Sequence, residues 1–169
     1  MSETTLITAL ENRLIAQTWT GSSNVVFGTG CVSIVPALTP DVVKAALNTM
    51  RVPMCLLGAG TAESDPEFNE EPDLIKFNFD CAIITAVPGD LYGRNAYMGA
   101  NKTGGSTKSE GRGIAEIAVE MYNAIGKVNA LESITMQARQ TGQQGAMYND
   151  RGLWMVWRVY QIEAWGVAT

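Results

Sequence analysis

Between Leu74 and Val87 the chain alternates: Ile75, Phe77, Phe79, Cys81, Ile83 and Val87 fall on one side, and Lys76, Asn78 and Asp80 on the other. A period of two sustained over this length predicts a β-strand with one buried face, because a helix would scatter the same residues around its circumference. At about 3.3 Å per residue the strand is unusually long, and long strands belong to extended hairpins or to sheets continued between subunits. Any fold for this chain has to be built around it.

The flanking segments add helices and shorter strands. Leu6, Leu10 and Leu14 recur at a spacing of four, with Ile7 and Ile15 beside them, predicting an amphipathic helix from Ser2 to about Gln17. Val25 to Phe27 and Cys31 to Val35 read as short β pieces paired as a hairpin around Gly28-Thr29-Gly30. Thr39-Pro40-Asp41 is a helix start, and Val43, Leu47 and Met50 give that helix its apolar stripe. Val52 to Leu57 (VPMCLL) reads as a short buried strand entered at Pro53. Glu63 to Asp73 is an acidic loop, and Pro88 to Arg112 a long one with six glycines and no apolar period. Ile114, Ile117, Met121 and Ile125 mark a third helix, ended by Gly126. Ile134 to Gln140 is read as a strand followed by a Gly-rich link, and Leu153 to Trp165 (LWMVWRVYQIEAW) as a closing strand with aromatics on both faces. Strands in successive pairs predict an α+β fold: one domain over residues 1–169, a mostly antiparallel sheet, helices on one face, and long hairpin or loop extensions.

Composition narrows the chemistry. With 46% hydrophobic and 17% charged residues, apolar burial is sufficient to fold the chain, and the surface is poor in charge. A net charge of -5 offers no general field for a nucleic-acid backbone, so no specific nucleic-acid partner is expected. Cys31, Cys55 and Cys81 are odd in number and set among apolar residues, which reads as buried thiols in a reducing compartment. Glu3 and Glu11 stand where an export signal carries positive charge, and no apolar run approaches the roughly 18 residues of a spanning helix, so a soluble chain without a membrane partner is expected.

The chain has no histidine, which removes Ser-His-Asp and Cys-His arrangements and most zinc sites. Three cysteines without CxxC spacing leave no four-thiolate site within one chain. The Gly-rich stretch fails as a phosphate loop, because Gly105 stands where the lysine is required. The run ESDPEFNEEPD has Pro66 and Phe68 where an EF-hand alternates ligands, so no metal and no cofactor is expected. Carboxylates for acid–base work remain conceivable, without a second acidic cluster to accompany them. The candidate residues are therefore interface residues. Tyr92, Arg94, Tyr97, Lys102, Lys108 and Arg112 form an aromatic and cationic arm. The acidic run reads first as a solvated loop whose charges prevent edge pairing, and alternatively as a counterpart in which Glu67, Glu70 and Glu71 face a basic surface of another copy; Trp157 belongs to a closing strand read as core packing on one face and a contact between subunits on the other.

The succession of an amphipathic N-terminal helix, VPMCLL, an acidic turn, LIKFNFDCAIITAV, GIAEIAVEMYNAIG and LWMVWRVYQIEAW resembles the tail terminator, or tail completion, proteins of long-tailed bacteriophages, over most of the chain beyond about Pro40. The resemblance implies a structural protein, not an enzyme: a homohexameric ring in the virion neck, assembled in the host cytoplasm, that caps the tail tube, ends its polymerisation and meets the head-side connector protein. Its implied partners are further copies of itself, the tail tube protein and the connector. Other readings are another neck or tail ring subunit, such as a head-tail stopper, adaptor or tube protein, or a small ligand-binding or enzymatic α+β domain.

Overall fold

The computed structural model describes residues 3–64, 74–87, 92–99, 112–126, 129–131, 134–148 and 154–167. The long alternating segment forms the strand β3, Leu74–Ala86, and lies inside a six-stranded sheet. Its neighbours are β2 (Met54–Ser64) on one side and β6 (Trp154–Val167) on the other. Beyond them come β1 (Val32–Val35) outside β2, and β5 (Ile134–Tyr148) followed by β4 (Asn129–Leu131) outside β6, giving the order β1-β2-β3-β6-β5-β4. All neighbours are antiparallel except β1 and β2, so the class is α+β with a mixed, mainly antiparallel sheet. The 13 residues of β3 span about 43 Å at the usual rise. Two long antiparallel pairings, β3 with β2 and β3 with β6, account for that length.

The face predicted to be buried is buried. Phe77, Phe79, Cys81 and Ile83 of β3 join Cys55 and Leu57 of β2 and Tyr160, Ile162 and Ala164 of β6 in one core. Helix α1 (Glu3–Ala16) lays Leu6, Ile7, Leu10 and Leu14 on it, and α4 (Ile114–Met121) adds Ile114, Ile117 and Met121. These are the residues of the 3.6-period stripes, and each fully buried Leu or Ile contributes about 1.5–3 kcal/mol by leaving water. A π-helical turn, Tyr122–Gly126, ends α4 and buries Ala124 and Ile125.

The structure corrects the sequence reading in several places, one of them the strand that begins in VPMCLL, which runs on to Ser64 and takes Glu63 out of the acidic loop. The helices do not share one face: α2 (Pro40–Thr49) packs Val43, Ala46, Leu47 and Met50 on Met54, Leu56 and Ile84, which point away from the main core. The reason is topological. β1 and β2 are parallel neighbours, and a parallel pair needs a crossover, which α2 supplies over the face that α1 leaves open. For the same reason Cys31 to Val35 does not pair with Val25 to Phe27: β1 pairs with β2, while Val25 makes an isolated antiparallel bridge to Thr18. The segment after Gln140 is no link, since β5 runs on through Gly142 to Tyr148 with an irregular register between Gln140 and Gln144. Finally, the loop from Pro88 to Arg112 contains a short helix, α3 (Arg94–Met98), whose Ala96 reaches the core. Among the described residues no helix is long and apolar enough to cross a membrane.

Candidate functional site

Helix α4 begins at Gly113, whose backbone N–H donates to the Glu116 carboxylate at 3.3 Å. That carboxylate also accepts from Arg112 Nη1 at 3.2 Å, so two donors at the helix start share one acid. The Arg112 guanidinium lies 4.7 Å from the centre of the Trp19 ring, and the Arg112 carbonyl accepts from Thr85 Oγ1 at 3.1 Å. Arg112, expected to reach for a partner, is thus engaged inside its own chain, joining the segment after α1, strand β3 and helix α4. Gly113 also meets the end of α3 so closely that a Cβ there would overlap Gly99 N and the Tyr97 carbonyl. This contact seats α3 on the helical layer.

One turn along, Glu120 is only 5% exposed although it carries a carboxylate. It accepts from Thr20 N at 2.9 Å, Thr20 Oγ1 at 3.1 Å, Asn123 Nδ2 at 3.3 Å and Gln17 Nε2 at 3.4 Å. A buried carboxylate is tolerated when its lone pairs are filled in this way, and the result is a clamp between α4 and the chain leaving α1. Sequence reasoning passed over Glu120, yet its position on the Ile117 and Met121 side of the helix was the available signal.

Tyr92, Arg94 and Tyr97 are brought together on and beside α3, and all three are exposed, Tyr92 at 87%. Arg158, on the helical face of β6, lies under this group: its Nη2 donates to Tyr97 Oη at 3.3 Å and its Cζ is 5.6 Å from the Tyr97 ring centre. Burial pushes the neighbouring Tyr160 phenol above its ordinary range, and Arg158 opposes that shift. Farther along the same layer, Val119 and Tyr122 of α4 and its end are 58% and 57% exposed, one turn apart, and Ile15 and Met98 are exposed as well.

Trp157, expected as an interface residue, is half-buried in the second apolar cluster with α2. Its ring lies over Gly145, the residue paired with it on β5, where any Cβ would overlap the indole. Glu67, Glu70, Glu71, Lys102 and Lys108 lie outside the described residues.

The three cysteines are buried and free, as expected from their apolar surroundings. Cys55 Sγ and Cys81 Sγ are 3.3 Å apart across β2 and β3. The hydrogen bond with Cys81, then burial, hold the Cys55 thiol well above its ordinary range, and burial raises Cys31. Such thiols are poor nucleophiles. Among the described residues no group of three or more His, Cys, Asp or Glu side chains is placed to hold a metal ion. What is exposed around α3 and α4 is a set of apolar and aromatic side chains, beside the Arg112–Glu116 ion pair and the Glu120 hydrogen bonds. No protein-family model matches this chain, and no curated protein matches it either.

Proposed function

We propose that the chain is a structural subunit of a phage virion, assembling with copies of itself into a ring that caps the tail tube, ends its polymerisation and joins the tail to the head-side connector. The observation that carries this reading is the outer surface of the helical layer, where Ile15, Tyr92, Tyr97, Met98, Val119 and Tyr122 are all exposed. Large apolar and aromatic side chains left exposed on α1, on and beside α3, and on and just after α4, in a chain with 17% charged residues, favour a surface covered by neighbours. The order of elements that carries the resemblance to tail terminators supports the particular role.

The test is electron microscopy of tails assembled with and without the protein, with the mass of the isolated complex measured alongside. Six copies in a ring at the end of each tube, and overlong or unjoined tails when the protein is withheld, are the expected results. A chain that stays monomeric in the particle as well as in solution overturns the proposal. The same reading includes no turnover and no metal requirement. A hydrolase and nucleotide screen should therefore be blank, and a chelator should leave the melting temperature unchanged.

A further inference from the structure

We infer that successive copies join edge to edge, the β1–β2 margin of one copy meeting the β5–β4 margin of the next, so that the sheet continues from subunit to subunit. The inference rests on the ring reading and adds the contact that would build it.

Each margin of the sheet has a step. On one side β1 covers β2 only from Cys55 to Gly58, and among the described residues no strand lies outside β2 from Ala59 to Ser64. On the other side β4 covers β5 only from Ile134 to Met136, and among the described residues no strand lies outside β5 from Gln137 to Tyr148. Among the described residues each margin therefore has one projecting strand and one recess.

The registers show that the steps match. Following Ile34 across the sheet leads to Leu57, Cys81, Tyr160 and then Gln140. Val32 leads by the same route to Gln144, and Val35 to Arg139. The projecting β1 is therefore level with the middle of the recess beside β5. In the other direction, Asn129 leads to Met136, Ala164, Phe77 and Ala62, and Ala130 leads to Glu63. The projecting β4 is level with the recess beside β2. Two copies placed side by side at the same height form a lap joint, in which each projecting strand fills the neighbour's recess.

The strand directions are compatible as well. β5 runs opposite to β2, and hence to β1, so β1 of one copy meets β5 of the next as an antiparallel pair. Because the levels agree, the contact carries no rise along the strands. A head-to-tail contact without rise closes into a ring where its rotation divides a full turn, whereas one with a rise grows into a filament. From Gln137 to Tyr148 the edge has no Pro and no Lys, and Arg139 is the sole charged residue, so what interrupts it is the irregular register between Gln140 and Gln144.

The experiment is cross-linking of the full chain carrying Ile34→Cys and Gln140→Cys together, mixed gently with oxidised glutathione and run without reductant. Covalent multimers in the double variant, with none in either single variant, are expected. A cross-linked dimer from Gln140→Cys alone means that β5 pairs with itself and overturns the joint. A double variant that assembles without cross-linking overturns the joint and leaves the ring reading standing. A wild-type chain that never assembles overturns both. Should the double variant fail to fold, amide exchange of the wild-type chain decides: assembly should slow Ile34 and Gln140 by at least about tenfold, and unchanged rates overturn the joint.

Discussion

Glu120 shows how one side chain ties α4 to the segment that follows α1. Removing it takes away the acceptor shared by Thr20 N, Thr20 Oγ1 and Gln17 Nε2, donors that solvent partly reaches, and losing a hydrogen-bond set of this kind costs about 1 kcal/mol. Glu120→Ala should lower unfolding free energy by roughly that amount in urea titrations, and Glu120→Gln by less, since it keeps an acceptor. Cys55 gives a second prediction, in pH. Its folded pKa lies above the ordinary thiol value of 9.0, so below pH 9.0 the thiol is neutral in both states and its contribution is fully present. Above pH 9.0 the unfolded chain ionises while the folded chain keeps the proton, and stability falls as the pH rises toward the folded value. The slope for this one group approaches about 1.4 kcal/mol per pH unit. Urea melts of Cys55→Ala should show a shallower alkaline loss than the wild type; equal slopes would place the effect elsewhere.

Among the elements, α2 is the one held least deeply, with no fully buried residue of its own and three fully buried sheet residues beneath it. Its start therefore counts for more than it would on a deeply packed helix. Thr39 Oγ1 accepts from Val42 N at 3.3 Å, and removing such a cap costs about 1 kcal/mol. Thr39→Ala should reduce global stability by about that much, and exchange of the α2 amides should rise more than exchange in β3. The junction of α3 with α4 is less forgiving. A methyl at Gly113 has to displace backbone of Gly99 and Tyr97 and not a flexible side chain tip, and overpacking of this kind costs typically about 1–3 kcal/mol. Gly113→Ala should therefore destabilise the chain and loosen α3, exposing Ala96, which dye binding and amide exchange will register.

At the scale of the whole molecule, assembly decides what the surface is for. Glu67, Glu70 and Glu71 supply half a cluster of charge in a chain whose Arg94 is exposed on α3. Charges at the rim of a contact set encounter rate and orientation more than final affinity, and salt screens them within about 10 Å at 0.1 M. Changing the three glutamates to glutamine should slow assembly at low salt and flatten its salt dependence, while the melting temperature stays unchanged. Light scattering at several ionic strengths provides the measurement, and unaltered kinetics would assign the acids to solvent.

How much of this was legible in the residues follows from the range of the forces involved. The faces of α1, β3 and α4, the cap at Thr39 and the burial of the thiols could be read directly, because periodicity and capping are local and one residue type reports on its near neighbours. The sequence by itself also determined what the chain lacks: without histidine, familiar catalytic and metal arrangements cannot be composed. The pairing of strands was another matter. Nothing within Val32 to Val35 says that its partner is Cys55 to Gly58, or that the two run parallel, and only that pairing sends α2 to the opposite face. Gly142 and Gly145 read as a link until Trp157, from the neighbouring strand, covers Gly145 in the space a side chain would need. Glu120 stood visibly on an apolar stripe, but all of its donors except Asn123 come from Gln17 and Thr20, about a hundred residues earlier. The tertiary structure alone decided these points, and it alone produced two stepped margins at matching heights, because register is a relation between distant strands and no single strand encodes it.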